Sequence, residues 1–139
     1  MNLPSDTILL VPIKFSTLAP NNTIMPKIYM ENFKGLVEGI YDCKESITEG
    51  AIVRFEKDKK YTFCLFIECL EKNKFDKQVR LNKQRLFTTL NNFSGVFESQ
   101  NIDPKFAIPV KMLTEIGEEF EYFENEILKL DNIKVVFLQ

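Results

Sequence analysis

Glu68 and Glu71 stand three residues apart where an apolar run, Tyr61–Ile67, gives out. Two carboxylates at a strand end that feeds a cleft suit general acid–base work. The simpler reading is two solvated side chains beyond the strand. Lys14 follows another apolar run, Ile8–Ile13, and at the end of a central strand it could bind a phosphate or carboxylate. It could equally snorkel to solvent or pair with a glutamate. Lys72, Lys74, Lys77, Arg80, Lys83 and Arg85 face only Asp76 across their stretch. Such a run could touch nucleic acid, but Phe75 is its one early aromatic, and a solvated loop and helix face is the plainer account. Glu115, Glu118, Glu119, Glu121, Glu124, Glu126 and Asp131 face only Lys129. They complement the dipole of a helix or present an acidic face to a basic partner.

Composition narrows the chemistry further. The chain has no histidine, so Ser-His-Asp and Cys-His nucleophiles are excluded. Cys43, Cys64 and Cys69 are odd in number, without framework spacing, and read as reduced, inert thiols of a cytoplasmic protein. A zinc site would need thiols and carboxylates at unusual spacings, so no metal is expected. The formal charge of −2 exerts no overall pull toward nucleic acid or membrane. No apolar run approaches the ~18 residues of a membrane span, and the N-terminus lacks a signal pattern.

The elements that must position these residues follow from periodicity. Its 139 residues fit one domain, 1–139. Ile8–Ile13 reads as a buried strand ending near Phe15, and Ser16–Pro26 as a loop. A helix is expected from Lys27 to about Cys43, with Tyr29, Phe33, Leu36, Val37 and Ile40 on one face. Gly35 and Gly39 in it would allow a close approach to a neighbour. Ala51–Glu56 alternates apolar and polar residues and, through the turn Lys57–Lys60, forms a hairpin with Tyr61–Ile67. Lys72–Leu81 reads as a basic connection. Asn82 can cap a helix running to about Glu98, with Leu86, Leu90, Phe93 and Phe97 as its stripe. Phe106–Gln139 then forms a β–α–β unit: a buried strand at Phe106–Pro109, a loop at Lys111–Gly117, an acidic helix with the stripe Phe120, Phe123, Ile127 and Leu130, and a buried strand at Ile133–Leu138. The helix is expected to open with Glu115, Glu118, Glu119 and Glu121. The whole is a three-layer α/β sandwich, its sheet mixed and mostly parallel, with helices on both faces.

That order and several local patterns resemble the macro domain, the ADP-ribose-binding module, and within it the small glycohydrolase branch. Val11-Pro12-Ile13-Lys14 is similar to the family's strand ending Val-Pro-Val-Asn. Phe33-Lys34 followed by Gly50 resembles its Phe-Lys helix and Gly-x-Val strand, Ala107-Ile108-Pro109 its Ala-Ile-Pro strand, and Ile133–Leu138 its last strand. The resemblance spans about residues 6 to 139. It implies an ADP-ribose-like ligand between the first and second loops, near Lys14, Phe15, Asn21, Asn22, Glu68, Lys111, Thr114 and Gly117. The departures fall on those same positions. Lys14 replaces the ribose-contacting asparagine, and the first loop, Ser16–Pro26, has no glycine to let backbone N–H groups approach a pyrophosphate. The second loop keeps only Gly117. Glu68 and Ile116 stand where the glycohydrolase branch has its lysine nucleophile and aspartate, so no catalysis by that route is expected.

Two function classes follow. One is an interaction protein that reuses a macro-like scaffold, with a partner face at Glu118, Glu119, Glu121 and Glu124. The alternative is a module that binds or sequesters ADP-ribose or a related nucleotide signal through rewired loops. A protein partner or self-association is expected, and nucleic acid and membrane are not. Richness in Lys, Asn, Phe and Ile suits an AT-rich genome such as that of a phage or other mobile element, where a counter-defence or inhibitor role would fit either class.

Overall fold

A computed structural model describes residues 7–14, 25–33, 38–39, 52–57, 59–76, 78–101, 103–130 and 133–139. Seven strands appear in it: β1 (Thr7–Ile13), β2 (Ile52–Lys57), β3 (Lys60–Glu68), β4 (Leu70–Lys72), β5 (Val79–Leu81), β6 (Lys105–Pro109) and β7 (Lys134–Leu138). Its helices are α1 (Lys27–Asn32), α2 (Lys83–Ser99), α3 (Val110–Glu115) and α4 (Phe120–Leu128). Five strands form one sheet in the order β2-β3-β1-β6-β7. β1 is central and parallel to both β3 and β6, β6 is parallel to β7, and the β2–β3 hairpin is antiparallel. The fold is the expected α/β class.

β1 sits at the centre because it is apolar on both faces. Leu9, Leu10, Val11 and Ile13 are wholly buried, each contributing about 1.5–3 kcal/mol of transfer free energy. Pro12 is tolerated there because β6 pairs with β1 only as far as Leu9, so a donor is dispensable on that side. Register places Ile8 beside Phe63 and Phe106, and Ile108 beside Phe137, on one face of the sheet. α2 and α4 cover that face: Phe97 meets Phe106, and Phe120 and Phe123 meet Phe137. The opposite face carries Phe55 and Phe66, whose rings meet edge-on at 6.2 Å. There α1 packs through Tyr29, whose hydroxyl donates to the Leu10 carbonyl. Burial, and then the nearby Cys64 and Cys69, hold the Tyr29 hydroxyl well above its ordinary range, and burial pushes the Cys64 thiol up as well. Neither thiol is in a disulfide, and both are buried.

Several expectations hold. Asn82 caps α2, its side chain accepting from the Arg85 N–H at 3.1 Å. Leu86, Leu90 and Phe97 are buried along the expected stripe, as are Phe123 and Ile127 on α4. Gly39 is a close-approach glycine: a Cβ there would lie 2.7 Å from Cδ1 of Phe55.

Others are corrected. The helix expected over 27–43 stops at Asn32, because Phe33 leaves helical geometry (φ −130°, ψ 50°); residues 38–39 are helical, and Gly35, Leu36, Val37, Ile40 and Cys43 lie outside the described residues. The basic connection over 72–81 contains β5 and belongs with β4 to a separate two-stranded antiparallel sheet, anchored by buried Leu70 and Leu81. The loop expected over 111–117 is mostly the helix α3, whose Met112 and Leu113 are buried. The acidic helix begins at Phe120, so of the four glutamates expected to open it only Glu121 lies in its first turn. β7 is an edge strand, half-buried over most of its length rather than buried, since no strand flanks its outer side among the described residues.

Candidate functional site

β1 and β6 are neighbours, and the strands that follow them in the chain lie on opposite sides of the pair, β2 at the edge beyond β3 and β7 beside β6. Their carboxyl ends therefore form a topological switch point, the usual place for a ligand in an open α/β sheet. The first turn of α1 and the end of α3 meet there. Pro26, at the N-cap of α1, has no side-chain acceptor for the orphan N–H groups of the first turn. Glu115 supplies it from 88 residues away. Its Oε1 accepts from the Lys27 N–H, and its Oε2 accepts from the Ile28 N–H at 3.0 Å. A fixed protein carboxylate thus takes the backbone donors that an anionic ligand would otherwise find.

Beside this contact lies a cleft of about 800 Å³, walled by Met25 and Pro26, by Gln78–Leu81 of the small sheet, and by the turn from Thr114 to Glu118. Gly117 makes that turn at φ +80°, a left-handed conformation suited to glycine. The Glu118 N–H then donates back to the Leu113 carbonyl at 2.8 Å and closes α3. Charge in the cleft is largely neutralised within the chain. Arg80 pairs with Asp76 at 2.8 Å, and Glu118, whose side chain is 14% exposed, pairs with Lys83 at 3.4 Å.

The residues singled out from sequence are only partly brought together. Thr114 and Gly117 line the cleft, while Lys111 is exposed on α3 and Lys14 is half-buried just past β1. Glu68 pairs with Arg85 at 3.7 Å, and Glu71 accepts from the Asn82 amide at 2.8 Å. Each carboxylate of that suggested acid–base pair therefore has its own partner. Phe15, Asn21 and Asn22 lie outside the described residues. Sequence reasoning missed the role of Glu115, although one signal was present: a helix entered from proline, with no Ser, Thr, Asp or Asn at its cap.

α4 carries the acidic face. Phe123 and Ile127 point inward, Glu121 and Leu128 are exposed, and Glu124, at three- and four-residue spacing from them, is half-buried. Tyr122 is 66% exposed and Leu128 72%. Glu126 pairs with Lys129 at 3.6 Å. Among the described residues Glu119, Glu121 and Glu124 have no ion-pair partner. Three residues of the basic stretch are committed within the molecule, through Arg80–Asp76, Lys83–Glu118 and Arg85–Glu68.

No three carboxylates or thiols converge as a metal site would require among the described residues. No described helix is long and apolar enough to cross a membrane. No model of a known protein family matches the chain, and no curated protein matches its sequence.

Proposed function

We propose that this chain is a non-catalytic, macro-domain-like protein that acts by binding a basic protein partner through the outward face of α4. The observation that carries this reading is the composition of that face. Glu119, Glu121 and Glu124 are unpaired among the described residues and lie beside exposed Tyr122 and Leu128. Carboxylates steer a cationic surface to the site and set its orientation, while an aromatic and an aliphatic side chain supply the desolvated contact. Glu118 belongs to the fold instead, through Lys83. The carboxylate of Glu115 on the α1 amides supports a protein-binding role over a nucleotide-binding one, since it would repel a phosphate at the switch point. An inhibitor or counter-defence protein of a phage or mobile element would use such a face.

The alternative, binding or sequestration of an ADP-ribose-like nucleotide, is favoured by the cleft of about 800 Å³ next to Gln78, Arg80 and Gly117. One set of measurements separates the two. A partner captured from the source cell and identified should be lost by Glu121→Lys/Glu124→Lys at unchanged melting temperature, and lost again as salt screens the contact. Calorimetry with millimolar ADP-ribose should then show no heat of binding. Saturable ADP-ribose binding, with capture unaffected by the double substitution, would reverse the assignment.

A further inference from the structure

β2 is an edge strand with an unusual self-complementarity. Among the described residues no strand pairs with its outer side. It has no proline, and its register with β3 runs without a bulge from Ile52 opposite Leu65 to Lys57 opposite Lys60. Closure of the hairpin on the Lys57–Lys60 pair directs the N–H and C=O groups of Lys57, Phe55 and Val53 toward β3. Those of Ile52, Arg54 and Glu56 therefore point outward from the sheet edge. The side chains of these three residues share the sheet face of Tyr61 and Phe63. Ile52 is 40% exposed, Tyr61 53% and Phe63 44%. The Arg54 guanidinium lies 4.8 Å from the centroid of the Tyr61 ring on β3 and would turn outward from it to meet a second copy. Glu56 has no ion-pair partner among the described residues.

We infer that β2 pairs with β2 of a second copy, antiparallel about a two-fold axis at Phe55, so that two five-stranded sheets become one. The charges select that register. A two-fold at Phe55 sets Arg54 opposite Glu56 of the other copy, and the symmetry repeats the pair. Both residues belong to the outward-pointing set, so each opposition is also a hydrogen-bonded backbone pair. A two-fold at Arg54 would instead set guanidinium against guanidinium, and one at Val53 would oppose arginine to isoleucine. With the axis at Phe55 the two Phe55 rings become neighbours in the close, non-hydrogen-bonded position. On the other face the two Arg54–Glu56 pairs form the seam, with Tyr61 and Phe63 of each copy one strand behind it. β7, the other edge, has Lys134 tied to Asp103 and no acidic residue to oppose it in a self-pairing. This surface is separate from the α4 face, and the inference stands independently of the proposed function.

Sedimentation equilibrium of the full chain tests it. The wild type should form a concentration-dependent dimer that weakens as ionic strength rises. Arg54→Glu and Glu56→Arg each turn two attractions into two repulsions, and each should raise the dimer dissociation constant about tenfold or more. The double substitution Arg54→Glu/Glu56→Arg restores opposite charges in the same register and should restore the dimer. Melting curves check that the variants fold, and the salt dependence of the wild type reads the same charge pair without any substitution. A wild type that stays monomeric to about millimolar concentration would overturn the inference. So would a dimer indifferent to salt or to either reversal, or one that the double substitution fails to recover.

Discussion

Replacing Glu115 by alanine isolates the contact that ties α3 to α1. The substitution removes the acceptors of two backbone N–H groups, those of Lys27 and Ile28, and little else, because the Glu115 side chain is exposed and leaves no cavity. Two charge-assisted hydrogen bonds would contribute about 1.5–3 kcal/mol each if no water could replace them. The Lys27 N–H is exposed and will be rehydrated, whereas the Ile28 N–H is half-buried and less well served. The net cost therefore resembles the loss of a helix N-cap, about 1–2 kcal/mol. For a chain of this length that is a fall in melting temperature of roughly 3–8 °C. Glu115→Gln keeps one acceptor oxygen and should fall between wild type and alanine. Calorimetry or circular dichroism supplies the melting temperatures, with Glu121→Ala as an exposed, unpaired control expected within about 0.5 kcal/mol of wild type. Hydrogen exchange gives a local readout, since the Lys27 and Ile28 amides should exchange faster in the alanine variant. A Glu115→Ala protein that melts with the control, its two amides still protected, would refute the capping role.

Two further outcomes follow from the fold. Asn82→Ala removes both the cap of α2 and the amide that donates to Glu71, and should cost about 0.5–2 kcal/mol in chemical denaturation. Alkaline pH should destabilise the chain through Cys64. Its thiol titrates at an ordinary value of 9.0 when unfolded and well above that when folded, because burial penalises the thiolate. The unfolded state therefore loses its proton first, and stability is full below pH 9 and falls as pH rises beyond it. Denaturation midpoints between pH 8 and pH 11 should drop, and the drop should shrink in Cys64→Ala, measured against that variant's own value at pH 8.

Local pattern was enough for much of the scaffold. Thr7–Ile13 and Lys105–Pro109 are strands with both faces covered, so continuous apolar character marked them, and the stripes of α2 and α4 repeat at the helical period. The alternation in β2, the turn after Lys57 and the Asn82 cap are equally local signals. The errors fell where short elements owe their form to distant partners. α1 ends at Asn32 although the apolar spacing continues, since periodicity does not report where the backbone departs from the helix. α3 has only six residues, too few to be stable alone, and becomes helical because Met112 and Leu113 are buried. β4 and β5 are three residues each and pair because Leu70 and Leu81 reach the core together. The candidate site depended on tertiary structure still more. Sequence placed a run of carboxylates near a ligand loop, and chain folding divided them: Glu115 caps α1, Glu118 pairs with Lys83, Glu119 and Glu121 are exposed, and Glu124 is half-buried. Residue type and spacing determined which groups were charged and which faces were apolar. Which charges meet across tens of residues was decided by the crossing of the sheet connections, because only that brings the ends of β1, β3 and β6 to one edge.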